Sequence, residues 1–589
     1  MLARPRFKPH LHVAAVPDEG VFVLSGSTQA LLRGRLYELV APHIDGCAAD
    51  EICDRLAQQA SAAQVYYTLA QLEKRGYLAE AADTPFDDEA AWWSSQDVNP
   101  ATAALRLAQG RVAIVGFGGD AEPLGELLAE WNVTIDQGAD FSVVAVDHYL
   151  RSPLADLNAA ALAGGKPWLL VKPWGTQFWL GPLFRPPTTG CWQCLADRLR
   201  SNRPVENYVR SRKPLAEPPL VDRAGTAATR QAAWGLTANA VATWLVRGEL
   251  PQLEGKIQTF DLLTWKAESH ALVKLPYCAA CGQPANGHDR PIRPVTLEGR
   301  AKTLFREGGH RVVRPEATLE RFSHHVSPIT GAVSALQRVG PNGDGCMHVY
   351  LAGNNFARRH HDLAQLKGDL RNMSAGKGTT DAQAKASGLC EGLERHSGVF
   401  RGDEPRTTAR LGELAGAINP AECLLFSERQ YRERKEINAK SSSYNFVPVP
   451  FDPEDKIEWT PLWSLTRQEE RHLPTAFCYY DYPQHEDEQI CVACSNGNAA
   501  GNTLEEAVLQ GFLELVERDS VALWWYNRVP RPGVDLCTFD EPYLPELAAY
   551  LATRQREMCV LDLTTDLAIP VFAAWSRRTE GGPEQIVMG

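Results

Sequence analysis

Glu391-Gly-Leu-Glu394-Arg395 and Glu514-Leu-Val-Glu517-Arg518 repeat one acidic pattern within a single chain. Residues four positions apart lie on the same side of a helix, so each copy predicts a polar face. The residues expected to share these two faces are Ser387, Glu391, Glu394 and Arg395 on the first helix, and Glu506, Gln510, Glu514 and Glu517 on the second.

Each acidic segment follows a predicted capping box, in which Thr380 pairs with Gln383 and Thr503 pairs with Glu506. A single Glu-x-x-Glu-Arg would be typical of a solvated helix face. Two copies of clustered carboxylates instead favour a shared cation, because like charges repel unless something positive lies among them. Mg²⁺ with the phosphates of a nucleotide meets that requirement.

Length and composition limit the class of protein. The chain has 589 residues, enough for roughly three domains, and it is 44% hydrophobic and 22% charged. We find no apolar run long enough to cross a bilayer, which predicts a cytoplasmic protein without membrane contact. The net charge of −12 argues against broad attraction to nucleic acid. Fourteen cysteines without a secretion signal favour thiols and metal ligands over disulfides.

Residues 1–90 show three short strand patterns followed by three helix patterns, the last opened by a Ser61–Gln64 capping box. This order predicts a winged helix-turn-helix. DNA reading is disfavoured, because Lys74 and Arg75 lie at the far end of the candidate recognition helix. A small sheet edge can instead accept an extended peptide. The module resembles the precursor recognition elements that bind leader peptides of ribosomally made natural products.

A polar linker is expected at 91–110, and the pattern then becomes alternating α/β. The strand at Arg111–Val115 runs into Gly116-Phe-Gly118-Gly119, a weak signal for a nucleotide-binding turn. Two Cys-x-x-Cys pairs follow far apart, and they predict a closed tetrahedral zinc site that joins distant segments. Its expected ligands are Cys191, Cys194, Cys278 and Cys281.

Residues 111–295 resemble the ThiF-like fold of adenylating enzymes in the glycine turn, the strand that ends at Asp147 and both cysteine pairs. The sequence shows no clear acidic and arginine pair for Mg-ATP. The expectation is therefore a degenerate domain that serves as a scaffold, with a structural zinc.

A segment around Lys377, Ser374-Ala-Gly-Lys377-Gly-Thr379, precedes the first acidic helix, and Cys494 to Asn502 precedes the second. The first lacks the spacing of a P-loop. We expect both to be flexible glycine turns, each delivering a helix N-terminus to phosphate. Cys491 and Cys494 form a further Cys-x-x-Cys without a partner pair, which favours ordinary thiols.

These segments and the acidic helices resemble the ATP site of the YcaO superfamily, within an α/β domain expected at 300–589. The resemblance implies that Glu391, Glu394, Glu514 and Glu517 hold Mg²⁺ and that Ser387, Asn502 and Glu506 contact ATP. It places Lys377 and Arg314 near the phosphates. Gln510, Arg395 and Arg518 complete the matching residues.

The domain order resembles the fused, cyanobactin-type cyclodehydratases that form azoline rings in precursor peptides. This implies ATP, Mg²⁺ and zinc, a precursor peptide with a leader as partner, and leaves a homodimer open. In the family the domain continues beyond the position of Gly589, so a truncated chain is expected. The alternatives are a leader-binding scaffold without catalysis, a related thioamide- or amidine-forming enzyme, and a DNA-binding regulator.

Overall fold

The computed structural model describes most of the chain in several ranges. These are residues 2–81, 87–213, 217–219, 221–222, 224–282, 292–305, 309–340, 345–354, 363–370, 373–440, 446–484 and 489–584.

The N-terminal unit combines small antiparallel sheets with three helices. Its elements are β1 Pro5–Phe7, β2 His12–Val16, β3 Gly20–Leu24, β4 Gln29–Leu32, α1 Arg35–Val40, α2 Ala49–Leu56, α3 Ala62–Lys74 and β5 Leu78–Glu80. Strands β2, β3 and β4 form one sheet, and β1 pairs with β5. Alternate residues of β3, Val21 and Val23, are fully buried against Ile52, Leu69 and Leu72 of the helices. The winged helix-turn-helix prediction is confirmed, together with the Ser61–Gln64 capping box.

The second unit is built on a seven-stranded mixed sheet. Its elements are α4 Asp88–Ser95, α5 Pro100–Ala108, β6 Arg111–Phe117, α6 Glu122–Ala129, β7 Thr134–Ile135, β8 Ser142–Val146, α7 Leu154–Gly164, β9 Trp168–Lys172, β10 Gln177–Phe184, α8 Trp192–Ser201, α9 Pro204–Arg212, α10 Ala227–Arg247, β11 Lys256–Asp261 and β12 Lys266–Ala271. The strand order is β12-β11-β10-β9-β8-β6-β7. The four strands β7, β6, β8 and β9 run parallel, and the others pair antiparallel. Apolar residues fill both faces, as expected for a buried parallel sheet.

The linker expected at 91–110 requires a correction. Much of this segment lies in α4 and α5, and Trp93, Ala103 and Leu107 belong to the apolar core beneath the seven-stranded sheet. Asn99 caps α5 by accepting hydrogen bonds from the backbone N–H groups of two residues in its first turn. The indole of Trp93 is 2% exposed, so burial of this side chain fixes the segment against the sheet.

The remaining elements form small sheets flanked by helices. They are α11 Pro315–Phe322, β13 Val333–Val339, β14 His348–Asn354, α12 Leu363–Asp369, β15 Met373–Gly378, α13 Asp381–Ser397, β16 Thr407–Ala409, α14 Pro420–Leu424, α15 Glu428–Lys440, β17 Ile457–Ser464, β18 Glu469–Pro474, α16 Thr475–Cys478, α17 Leu504–Asn527, α18 Tyr543–Ala552, β19 Arg556–Asp562 and β20 Phe572–Arg578. Three antiparallel sheets are formed by β13-β14-β15, β16-β17-β18 and β19-β20. Among the described residues, no helix is both long and apolar enough to cross a bilayer.

The glycine-rich segment before α13 is a strand, so the predicted flexible turn is wrong here. Residues Met373–Gly378 pair along β14, and Lys377 lies opposite Val349. A Cβ on Gly376 would lie 2.1 Å from the Ala384 carbonyl oxygen and 2.1 Å from the Gly388 nitrogen. The glycine therefore allows β15 to pack directly against the backbone of α13.

Candidate functional site

Both acidic helices begin with the same variant of the predicted capping box. The hydroxyl of Thr380 accepts from the Gln383 N–H in α13, and Thr503 accepts from the Glu506 N–H in α17. The returning side chain reaches one residue further back than in a standard box. Gln383 accepts from the Thr379 N–H at 3.2 Å, and Glu506 accepts from the Asn502 N–H at 2.9 Å. The sequence signal for both helix starts is thus confirmed, with shifted partners.

The turn at 497–500 contacts both acidic helices. The Ala500 N–H donates to Glu394 Oε2 at 3.0 Å, and the Gly497 N–H donates to Glu514 Oε2 at 3.0 Å. Gly497 has a φ of +83°, in the left-handed region that favours glycine. Two helices separated by more than a hundred residues in sequence therefore present carboxylates to one short segment of backbone.

Each helix also holds an internal ion pair one turn apart. Arg395 Nη2 lies 3.4 Å from Glu391 Oε1, and Arg518 Nη2 lies 3.2 Å from Glu514 Oε1. Arg395 is well shielded from solvent, whereas Arg518 has a largely exposed side chain. Contact between Glu391 and Arg395 agrees with the face predicted for α13, whereas Arg518 is an additional residue beside Glu514 on α17.

The carboxyl of Glu394 is half-buried among other charged side chains of the two acidic helices. Burial raises its pKa to about 7, opposed by Arg395 and reinforced by Glu391 and Glu514. A carboxyl that resists ionisation next to other carboxylates is one that a divalent cation would convert to its anionic form. This donor set of hard oxygens suits Mg²⁺.

Three predicted ATP-contacting residues at the start of α17 and just before it contact α11 and the segment that precedes it. Glu506 Oε1 accepts from the Val312 N–H at 2.7 Å, and Asn502 Oδ1 accepts from the Thr318 hydroxyl at 3.0 Å. Gln510 Oε1 accepts from Arg311 Nη2 at 3.3 Å. The three residues thus face one common surface next to α11.

Four other predicted site residues are exposed: Lys377, Ser387, Arg314 and Glu517. Lys377 lies on β15 and Ser387 on α13, whereas Arg314 is the N-cap of α11. Among the described residues, the only group of three or more ligands close enough for one metal ion is made of cysteines. The four glutamates are therefore not drawn together in this structure.

Sequence reasoning missed two residues of this region. Arg311 binds Gln510, and the Tyr480 hydroxyl accepts from Arg395 Nη1 at 3.2 Å and from Asn498 Nδ2 at 2.9 Å. Arg311 lies in a basic stretch before α11, which is a weak signal. Nothing local distinguishes Tyr480 from its neighbour Tyr479, since its role depends on contacts with residues 18 and 85 positions away.

The four predicted zinc ligands form a compact cluster, in which three cysteines are buried and Cys281 is partly exposed. Cys191 Sγ lies 3.6 Å from Cys278 Sγ, and Cys194 Sγ lies 3.5 Å from Cys281 Sγ. All four sulfurs lie within 4.8 Å of one another. A tetrahedral site with Zn–S bonds of about 2.3 Å needs sulfurs about 3.8 Å apart. The spacing and the soft donor set therefore fit zinc.

The thiols of this cluster cannot ionise independently. Hydrogen bonding by the Cys191 and Cys278 thiols, with burial, raises the pKa of Cys194. Hydrogen bonding from Cys191 lowers the pKa of Cys278, so negative charge is shared unevenly. A bound cation would stabilise all four thiolates together, which makes metal binding and local folding one process.

The glycine turn after β6 is filled by the protein's own side chains. A Cβ on Gly118 would lie 2.1 Å from the Asp147 carboxylate, and a Cβ on Gly119 would lie 2.2 Å from the Trp174 ring. Asp147 is in turn held by Arg151, with contacts of 2.7 and 2.5 Å. An acidic and arginine pair is thus present beside the turn, but its members bind each other.

Comparison with known proteins identifies the family. The model of the family "YcaO cyclodehydratase, ATP- and Mg²⁺-binding" matches residues 375–589, and a winged helix-turn-helix model matches residues 6–80. A solved heterocyclase in complex with substrate and cofactor is 40% identical, with a TM-score of 0.89, over 98% of this chain and 78% of that one. The chain belongs to the YcaO cyclodehydratase family.

Further proteins are similar to this YcaO protein. The heterocyclase TruD is 38% identical, with a TM-score of 0.79 and the same coverage of both chains. An uncharacterized protein of Methanothermobacter thermautotrophicus is 28% identical over 269 residues, which are 45% of this chain and 60% of the relative. The chain therefore spans less than two thirds of this curated relative. The family is one of ATP- and Mg²⁺-binding cyclodehydratases, which makes this chain a member of an enzyme family.

Proposed function

We propose that the protein cyclodehydrates Cys, Ser or Thr residues of a ribosomally made precursor peptide, using ATP and Mg²⁺. One observation carries the proposal most directly. Two acidic helices converge on the 497–500 turn in a chain that is 40% identical over 98% of its length to a heterocyclase in complex with substrate and cofactor.

In the proposed reaction, the thiol or hydroxyl of the peptide residue gives up its proton and attacks the carbonyl carbon of the preceding residue, forming a C–S or C–O bond. The carbonyl oxygen takes the γ-phosphoryl group of ATP, which releases ADP. Departure of that oxygen as phosphate, with loss of the amide proton, leaves the C=N bond of an azoline. The products are ADP, phosphate and a peptide lighter by one water, and the protein contributes mainly positioning and charge.

The proposed roles follow the family resemblance and the contacts of this chain. When bound, Mg²⁺ would neutralise charge on the triphosphate. Glu391, Glu394, Glu514 and Glu517 are proposed to hold the metal. The residues proposed to contact ATP are Ser387, Asn502, Glu506, Gln510, Lys377, Arg314, Arg395 and Arg518. The raised pKa of Glu394 supports a cation beside it.

The N-terminal unit is proposed to bind the leader part of the precursor peptide. The edges of the β2-β3-β4 sheet can pair with an extended strand, and Leu24, Leu31 and Tyr67 are exposed apolar side chains on β3, β4 and α3. In this proposal the N-terminal unit binds the leader, and the YcaO domain carries out phosphoryl transfer. The proposed boundaries are 1–90 for this unit, 111–295 for the ThiF-like unit and 300–589 for the YcaO domain.

The ThiF-like unit is proposed to be a scaffold with a structural zinc. Asp147 and Trp174 occupy the space beside the glycine turn, which leaves the turn no room to approach a nucleotide. Four sulfur ligands would close the zinc coordination and leave no position for water. A cytoplasmic location and a homodimer stay predictions, which cell fractionation and sedimentation would check.

The test is incubation of this chain with its precursor peptide, ATP and Mg²⁺, followed by mass spectrometry. We expect a loss of about 18 Da per ring, one water as the balanced reaction requires. Glu391→Gln should abolish this loss while leaving leader binding intact. Leader binding without any mass change in the unsubstituted chain would overturn catalysis and support a binding scaffold.

A further inference from the structure

Tyr480 joins the first acidic helix to the turn that precedes the second. Its hydroxyl oxygen accepts one hydrogen bond from Arg395 Nη1 at 3.2 Å and another from Asn498 Nδ2 at 2.9 Å. Arg395 belongs to α13 and pairs with Glu391, whereas Asn498 lies between the two backbone N–H groups that bind Glu514 and Glu394. One phenol oxygen thus contacts both halves of the proposed nucleotide site.

The backbone of Tyr480 is fixed to the end of α13. Its N–H donates to the Gly398 carbonyl at 2.9 Å, and its own carbonyl accepts from the Phe400 N–H at 2.9 Å. The ring packs on Gly398, where a Cβ would come within 2.8 Å of Cε2. These contacts fix the position of the ring relative to α13. The hydroxyl of Tyr480 can therefore hold the 497–500 turn in place through its hydrogen bond with Asn498.

The contact with Asn498 differs in kind from the other contacts of the turn. Gly497 and Ala500 bind Glu514 and Glu394, which are the carboxylates proposed to turn towards a cation. A carboxylate that binds a metal has fewer lone pairs left for backbone N–H groups. The Tyr480–Asn498 bond uses none of these acidic groups, so it can persist whether or not the metal is bound.

We propose that Tyr480 is a positioning residue for Mg·ATP binding, which holds the 497–500 turn at a set distance from α13. This inference rests on the proposed function for its ligand, but the hydrogen bonds that carry it belong to the protein alone. Without the hydroxyl, the 497–500 turn would be free to move with Glu514. Binding of the nucleotide would then have to fix the position of the turn. That ordering cost reduces affinity without altering the carboxylates themselves.

The test compares Tyr480→Phe with the matched control Tyr479→Phe, which removes the neighbouring hydroxyl. Calorimetric titration with Mg²⁺ and a non-hydrolysable ATP analogue should show Kd raised about fivefold in Tyr480→Phe, since a hydrogen bond between neutral groups such as Tyr480 and Asn498 is worth about 1 kcal/mol. KM for ATP should rise more than kcat falls. Tyr479→Phe should match the unsubstituted protein. An unchanged Kd in Tyr480→Phe overturns the proposal.

Two additional measurements keep the outcome clear. Asn498→Ala should also weaken binding, and the double variant should be no weaker than Tyr480→Phe alone, because Tyr480→Phe already removes the bond to Asn498. If Tyr480→Phe fails to fold, Asn498→Ala alone decides. Hydrogen exchange of the Gly497 and Ala500 amides without nucleotide should quicken in Tyr480→Phe. That readout tests the positioning role even if no ATP binding is found, in which case only the proposed function fails.

Discussion

Arg198 Nη1 lies 2.9 Å from His396 Nε2, and this contact joins the cysteine cluster's helix to the first acidic helix. Arg198 belongs to α8, whose N-cap is Cys191, and His396 directly follows Arg395 on α13. Arg401 Nη2 approaches the other ring nitrogen at 3.3 Å. Since a neutral imidazole has one acceptor nitrogen, only one guanidinium can donate to it at a time.

Replacing Arg198 by Met should leave the melting temperature unchanged or raise it. The side chain is 6% exposed, burial lowers its pKa, and its buried Nε has no hydrogen-bond partner within the described part of the chain. An apolar side chain of similar volume avoids that desolvation cost. ATP turnover should nevertheless fall several-fold, because α13 loses a contact with α8. Arg200→Met on the same helix is the control, and a marked fall in melting temperature for Arg198→Met would contradict this account.

Removal of the zinc ion proposed for the cysteine cluster should unfold the region around these four residues. Cys194→Ser should abolish zinc retention, measured by elemental analysis, and lower the melting temperature, because the two distant cysteine pairs lose their cross-link. Cys537→Ser changes an exposed cysteine outside the cluster and should keep both properties. If the protein keeps its full melting temperature after treatment with a chelator, apolar packing alone holds these segments together.

Gly376→Ala should destabilise the YcaO region severely. The added methyl group would lie 2.1 Å from backbone atoms of Ala384 and Gly388, so β15 and α13 must separate. Overpacking of this kind costs about 3 kcal/mol or more. Gly235→Ala, at an open helical position of α10, should stabilise by roughly 0.5–1 kcal/mol. Denaturant titration would give the unfolding midpoint of each variant. Equal midpoints for Gly376→Ala and Gly235→Ala would contradict close packing of β15 against α13.

Stability should depend on His325 between about pH 6.5 and 4. Burial, with His324 and Arg198 nearby, lowers the pKa of His325 to about 4 from the ordinary 6.5. A lowered pKa means that the folded state favours the neutral ring. This contribution is complete above pH 6.5 and is lost as the pH falls through 4, since the unfolded chain takes up the proton first.

The measurement for His325 is the melting temperature against pH for His325→Gln and for its exposed neighbour His324→Gln. The difference between unsubstituted protein and His325→Gln should shrink steadily as the pH is lowered from 7 to 4. The His324→Gln protein should keep the pH dependence with a smaller total change, because it retains the buried His325 ring but loses one neighbour that lowers its pKa. A constant difference for His325→Gln would mean that the ring does not titrate on unfolding.

Local sequence patterns correctly predicted several helices and strands whose own residues contain a capping box or a clear hydrophobic period. The Ser61–Gln64 box, the two acidic helices and strand Trp168–Lys172 are present as expected. The two cysteine pairs also meet as predicted. Their meeting was predictable because two Cys-x-x-Cys pairs in one chain are typical of a metal site. In contrast, the segment around Lys377 forms a strand, since its glycines allow close packing on a helix that follows it in sequence. Trp93 made the expected linker part of a core.

The amino-acid sequence by itself determined which side chains are available, which segments are helical and that four cysteines can share an ion. Tertiary structure decided which carboxylates meet the 497–500 turn, that Tyr480 connects α13 to this turn and that Asp147 and Trp174 fill the glycine turn. These contacts join residues far apart in the chain. They depend on the relative placement of packed elements, which the short periods of helices and strands do not encode.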